Sequence, residues 1–307
     1  FLQSGLIFAA GEDERVVSAS RTITVTERKF MLVSFDKILS IADKGGFAIP
    51  AFNVYNMETV MGIIGAAEEL RAPVILQCYS RLMSNDEGYY LSPIVLAAAA
   101  RASVPVCFHL DHGAGELPVM RAIRFGATGI MIDASTEPID QNIAITSKIV
   151  ELCGHNGIQV EGELGHIGSA NDETMSESTE TADAVRFVNE TGVRALAIAV
   201  GTAHGHYKKA PKLDIERIGE IHTALPEVSL VLHGGSGIPD EQIRAAIAAG
   251  IRKINFGTDV CYSFLDKVFE TSRSIVAVDL FMRDAISSVK EFAEEKIKLL
   301  GADGRGV

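Results

Sequence analysis

The run Val106-Cys107-Phe108-His109-Leu110-Asp111-His112 is apolar after Pro105, ends in a carboxylate beside an imidazole, and is followed at once by Gly113. It reads as a buried parallel strand whose last residues emerge at a sheet edge. There an acid next to a histidine would set a proton-transfer group beside a metal ligand. Other apolar runs end in matching groups. One delivers Asp133, the next Glu161 and Glu163, and another leads into Gly201-Thr202-Ala203-His204-Gly205. Two more end in His233-Gly234-Gly235-Ser236-Gly237 and Asn255-Phe256-Gly257-Thr258-Asp259. A lone strand-end histidine is more often a hydrogen-bonded core residue. His112, His204 and His233 at equivalent ends, with acids beside them, favour a catalytic Zn²⁺ with an open coordination position. The glycine-rich turns at Gly234 and at Gly257-Thr258 open helices, where backbone N–H groups can cradle an anion. Beside a metal site they suggest a phosphorylated substrate.

These residues need a scaffold that brings many strand ends to one rim. Strand-like runs fall at 47–52, 74–77, 106–110, 129–132, 158–163, 195–200, 230–233 and 253–256. Helical patterns lie between them at 57–71, 92–102, 116–125, 139–153, 182–191, 215–224 and 241–249, and again from 259 and over 285–300. Eight strands, each followed by helical sequence, predict an α/β fold, the (β/α)₈ TIM barrel, with its active site at the C-terminal strand ends. A doubly wound open sheet is disfavoured because no early G-x-G-x-x-G turn occurs.

Composition narrows the function. The chain has 307 residues and 47% hydrophobic content, ample for a large core. With 28 basic and 40 acidic residues its net charge is -12, which disfavours a nucleic-acid surface. No apolar run approaches a membrane span. The cysteines Cys78, Cys107, Cys153 and Cys261 are scattered without a C-x-x-C, so we expect reduced thiols, mostly small buried hydrophobes, in a cytoplasmic protein. Residues 1–30 carry the patch Leu6-Ile7-Phe8-Ala9-Ala10 with no basic segment before it, unlike a signal peptide. We expect them to be an extension outside the barrel, and residues 31–307 to form a single domain.

The segments His109-Leu110-Asp111-His112, Met131-Ile132-Asp133-Ala134-Ser135, Glu163-Leu164-Gly165, Gly201 to Gly205, Leu232 to Pro239 and Lys253-Ile254-Asn255 occur in an order that resembles the class II, metal-dependent ketose-bisphosphate aldolases. The resemblance covers 31–301. It implies Asp111 as catalytic acid/base and His112, His204 and His233 as Zn²⁺ ligands. It places Asp133 and Glu163 at a second or alternative metal position, for a divalent or monovalent cation. It sets Gly205, Gly234, Gly235, Ser236, Asn255, Gly257 and Thr258 around dihydroxyacetone phosphate, with Asn53 also at the site. The implied substrate is a phosphorylated ketose of the fructose- or tagatose-bisphosphate type, and the implied assembly a homo-oligomer, dimer or tetramer.

Two other readings stand beside it. Ser80-Arg81-Leu82 and the stretch 138–144 are similar to the 6-phospho-5-dehydro-2-deoxy-gluconate aldolases, and a non-catalytic sugar-phosphate-binding barrel is the alternative from another class. The polar stretch 165–181 reads as a mobile lid. The resemblance puts a proton-exchanging glutamate where Asn171 stands, which leaves the neighbouring Asp172 and Glu173 to take its place. His109 and His206 are expected to pack or orient. Lys208 and Lys253 are expected to be solvated or phosphate-facing. No lysine Schiff base is required.

Overall fold

The structure is a computed structural model that describes residues 31–165, 167, 178–203, 205 and 211–306. The N-terminal stretch 1–30, the lid residues Asn171, Asp172 and Glu173, and His166, His204, His206 and Lys208 lie outside the described residues. Eight parallel strands pair in chain order: β1 (Ile49–Asn53), β2 (Val74–Tyr79), β3 (Val106–Gly113), β4 (Gly129–Ile132), β5 (Gln159–Leu164), β6 (Ala195–Ile198), β7 (Ser229–Leu232) and β8 (Ile251–Phe256). β8 returns to β1, with Ile49 opposite Lys253 and Ala51 opposite Asn255, so the sheet closes into the expected barrel. The strands are buried almost throughout, as sheets covered on both sides must be.

The helical layer comprises α1 (Phe35–Gly45), α2 (Met57–Glu69), α3 (Ser80–Ser84), α4 (Asp86–Arg101), α5 (Glu116–Arg124) and α6 (Ile139–Gly154). It continues with α7 (Thr181–Thr191), α8 (Ile215–Ala224), α9 (Asp240–Ala249), α10 (Thr258–Glu270), α11 (Val278–Phe281) and α12 (Arg283–Leu299). None of these helices is long and apolar enough to cross a membrane. Helices turn apolar faces toward the barrel. In α2, for example, Val60, Ile63 and Ala67 are buried at helical spacing, as are Ala285, Val289, Ala293 and Ile297 in α12.

Helix α1 was not foreseen. It starts at Ser34, whose hydroxyl accepts the Lys37 N–H at 3.2 Å, and it stops at Gly46 in the left-handed region. It lies across the N-terminal end of the barrel, against β1, β3, β5 and β8. Phe35 and Ile38 are fully buried there. The Arg194 guanidinium holds the helix down through Asp36 at 2.6 Å, Asp43 at 2.8 Å and the Ser229 hydroxyl at 2.8 Å. Phe47 and Ala48, the start of the run read as strand, form the connection from this helix, and β1 begins only at Ile49.

β3 departs from the regular ladder where it matters. It runs three residues past Leu110, and its register with β4 shifts between Leu110 and Gly113. His112 there has φ 47, a conformation uncommon outside glycine. An irregularity of this kind re-aims side chains at a strand end, and the two it re-aims are Asp111 and His112.

Candidate active site

The C-terminal rim opens on a pocket of about 350 Å³. Of the residues singled out from sequence, Asn53, Asp111, His112, Asp133, Gly205, Gly234, Ser236, Asn255, Gly257 and Thr258 line it. Glu163 and His233 sit beneath, buried at 1% and 0% exposure. Gly235 is not in the lining. It lies against β8, where its N–H donates to the Asn255 carbonyl at 3.1 Å, and a Cβ there would fall 2.8 Å from that oxygen. Only glycine lets the loop after β7 come this close.

Asp111 ends the regular part of β3 and is 4% exposed. Each of its carboxylate oxygens accepts one amide N–H: Oδ2 from Asn53 Nδ2 at 2.7 Å and Oδ1 from Asn255 Nδ2 at 3.2 Å. Burial alone would raise its pKa. The positive neighbours His112, His233 and Lys253 and the Asn53 hydrogen bond outweigh burial and hold it below the usual aspartate range. Asp111 is therefore a rigidly placed anion, the form that accepts a proton.

His112, Glu163 and His233 bring one ligand atom each within 4.8 Å of one another. Each histidine is steered by a carboxylate on its other side. His112 Nδ1 is 2.7 Å from Asp133 Oδ2, which leaves Nε2 on the Asp111 side, 4.0 Å from Oδ1. His233 Nε2 is 2.8 Å from Glu161 Oε1, and its Nδ1 is 3.0 Å from Glu163 Oε2. Burial works against the charged form of both rings, yet these acids raise both pKa values, that of His112 to about 10.

The donor set fits a divalent cation. Two imidazoles, each backed by a carboxylate, form the arrangement that fixes tautomer and aim in metal sites. Glu163 Oε2 is buried and faces His233 Nδ1 at 3.0 Å, so both atoms point at one position where a cation could sit. Asp133 is not among the clustered donors. Its Oδ2 serves His112, and its Oδ1 accepts from the Ser135 N–H at 3.1 Å and hydroxyl at 2.8 Å. His204, expected as the third histidine ligand, lies outside the described residues.

On the opposite side, Gly234, Ser236, Gly257 and Thr258 meet where α10 begins. The Ser236 hydroxyl accepts the Asp259 N–H at 3.2 Å, tying the loop after β7 to the first turn of that helix. A helix N-terminus beside glycine-rich backbone is an anion site by construction.

Sequence reasoning missed three contributors. Tyr55 and Tyr79 line the pocket, just past the end of β1 and at the end of β2. Asking what these two strands deliver, as was done for the later strands, would have found them. Lys253 is neither solvated nor phosphate-facing. It is 0% exposed inside the barrel, 2.9 Å from Glu161. His109 packs as expected. It is buried against Phe35, and burial lowers its pKa to about 3, so it stays neutral.

Residues 33–305 match the family model of the class II fructose-bisphosphate aldolases. Among solved structures, the YdjI aldolase from Escherichia coli K12 is 36% identical over 90% of this chain and 100% of that chain, with a TM-score of 0.82. A Coccidioides immitis protein taken to be a fructose-1,6-biphosphate aldolase is 28% identical over 88% of this chain and 96% of its own, also at TM-score 0.82. Fructose-bisphosphate aldolase from Campylobacter jejuni, at 21% identity, 89% and 97% coverage and TM-score 0.76, shares the fold.

Proposed function

The chain belongs to the class II fructose-bisphosphate aldolase family, and from that premise we propose that it is a zinc-dependent lyase that reversibly cleaves a phosphorylated ketose to dihydroxyacetone phosphate and an aldehyde. The observation that carries this reading is the Asp111 carboxylate, held as an anion by two amide donors at the floor of a pocket, beside the His112, Glu163 and His233 donors. In cleavage, Asp111 accepts the proton of the hydroxyl whose oxygen becomes the aldehyde. In condensation it returns that proton. His112, His233 and His204 hold the zinc ion, with Glu163 as an alternative ligand for it or for a second cation. Asp133 and Glu161 orient the two described histidines. When bound, the ion supplies Lewis-acid polarisation of the ketose carbonyl. Gly205, Gly234, Ser236, Asn255, Gly257 and Thr258 receive the dihydroxyacetone phosphate half, with Gly235 seating their loop against β8 and Asn53 holding Asp111 from the other side. Asp172 or Glu173 exchanges the carbon-bound proton.

The substrate is of the fructose- or tagatose-bisphosphate type. Residues 31–307 act as one domain, in the cytoplasm, as a homo-oligomer. The test is dihydroxyacetone phosphate release from these bisphosphates before and after chelation. Chelation should abolish release and Zn²⁺ should restore it. Full release by metal-free protein, or inactivation by borohydride in the presence of substrate, overturns the reading.

A further inference from the structure

A lysine with no solvent exposure lies inside the barrel, and the chemistry above makes no use of it. Lys253 Nζ donates to Asn255 Oδ1 at 2.7 Å and forms an ion pair with Glu161 Oε2 at 2.9 Å. From there two branches climb to the site. One runs through Asn255 Nδ2 to Asp111 Oδ1, the other through Glu161 Oε1 to His233 Nε2. Both partners of Lys253 thus touch the groups that matter.

We propose that Lys253 is a positioning residue: its buried ammonium clamps the oxygen end of the Asn255 amide while Asp111 takes the N–H end, and the same charge holds Glu161 as the partner of His233. The argument is one of polarity. A carboxamide is an acceptor at one end and a donor at the other, and it can turn over. An ammonium has donors only, so the amide atom facing Lys253 must be oxygen, and the N–H end must face the carboxylate. On the other flank of Asp111, Gln77 Nε2 donates to Asn53 Oδ1 at 2.9 Å, and Asn53 passes an N–H on to Asp111. Gln77 is itself an amide that can turn over, so on that flank the sense is set by the Asp111 anion alone. Gln77 Oε1 is buried with no hydrogen-bond partner among the described residues. In the string Gln77–Asn53–Asp111–Asn255–Lys253, Asn255 is the amide held at both ends by charge, its N–H by the Asp111 carboxylate and its oxygen by the Lys253 ammonium. If the lysine is removed, the Asn255 oxygen loses its donor, and only the Asp111 side still holds the amide in place.

This inference rests on the reading of Asp111 as the proton-transfer group, and the experiment keeps the two separable. Lys253→Met alone would strand a buried carboxylate and could fail to fold, so the test uses Lys253→Met/Glu161→Gln, which removes both charges. Full-length protein labelled with ¹⁵N-asparagine gives side-chain NH₂ resonances, and Asn255 is assigned by its loss in Asn255→Ala. In the Lys253→Met/Glu161→Gln protein the Asn255 pair should shift or broaden while the Asn142 pair, bonded elsewhere, stays in place. In zinc-loaded enzyme the turnover number should fall roughly 10–100-fold, the range typical of lost outer-shell support, with KM within about threefold. In an Asn255→Ala background the same pair of changes should cost clearly less than in the wild-type background, what is left being the Glu161–His233 branch, since coupled residues are not additive. An unchanged Asn255 resonance, or a changed one with undiminished turnover, overturns the proposal, as does a full loss that persists in the Asn255→Ala background. If the wild type releases no dihydroxyacetone phosphate, the aldolase reading falls, and the Asn255 resonance still decides the positioning.

Discussion

Asp111 and His112 are sequence neighbours with different duties, and the irregular end of β3 is what separates them. Asp111 takes its two amide donors and faces the pocket, whereas His112 turns in the left-handed region toward Asp133. Asp111→Ala should therefore lose turnover by about 10²–10⁴-fold, the usual worth of a general acid/base, while its zinc-to-protein ratio stays near that of wild type. His112→Ala should lose the zinc. Atomic emission on both variants, alongside dihydroxyacetone phosphate release, checks this, and equal zinc loss in the two would sink the division of labour. At this scale much was legible, because strand-end histidines and acids announce themselves by type and by the apolar run before them. Lys253 was not. A lysine in a strand-like run reads as a surface charge, and its burial depends on Glu161, which sits far away in sequence and reaches it only because the barrel interior is narrow. Tyr55 and Tyr79 carry no type signal, since aromatic residues at strand ends are ordinary packing.

The elements that hold these side chains were legible where periodicity changes from two to 3.6 residues, and less so at their ends. β3 outruns its apolar stretch because the last pairs form across a register shift, which no pattern of hydrophobicity records. α1 was lost because its amphipathic turns abut the stretch set aside as an extension. Helix packing adds a further constraint that the sequence hides. Gly62 on α2 faces α12 so closely that a Cβ would lie 2.8 Å from Val289 Cγ1 and 2.9 Å from the Ile286 carbonyl. Gly62→Val should overpack this contact and cost about 1–3 kcal/mol. Calorimetry should show a lower unfolding temperature, with turnover per folded molecule unchanged because the contact is outside the pocket. An unfolding temperature equal to that of wild type would mean that the two helices are not held by this contact.

The whole molecule has two distinct ends, with the pocket lined by Asp111 and His112 at the C-terminal rim and the Arg194 ion pairs with α1 at the other. Its flank is less settled. Phe269 on α10, Val276 in the connection and Val278 on α11 are 82%, 86% and 67% exposed, and Tyr262, Leu265 and Leu280 of the same segment are also exposed. So many exposed apolar side chains in one segment suit a covered face, in line with the homo-oligomer proposed above. Phe269→Asp/Val276→Asp should lower the mass measured by light scattering to that of one chain, and an unaltered mass would place the assembly elsewhere. The closing pair of strands bears on a different matter, the making of the protein. Asn53 comes from β1 and Asn255 from β8, the first and last strands, which pair at the seam that shuts the barrel, and each donates to Asp111 on β3. A ribosome delivers Asn53, Asp111 and His112 long before Asn255 and Lys253 exist. An unfinished chain, or one clipped ahead of β8, therefore has Asp111 without its Asn255 donor and without the closed sheet around it, and should release no dihydroxyacetone phosphate.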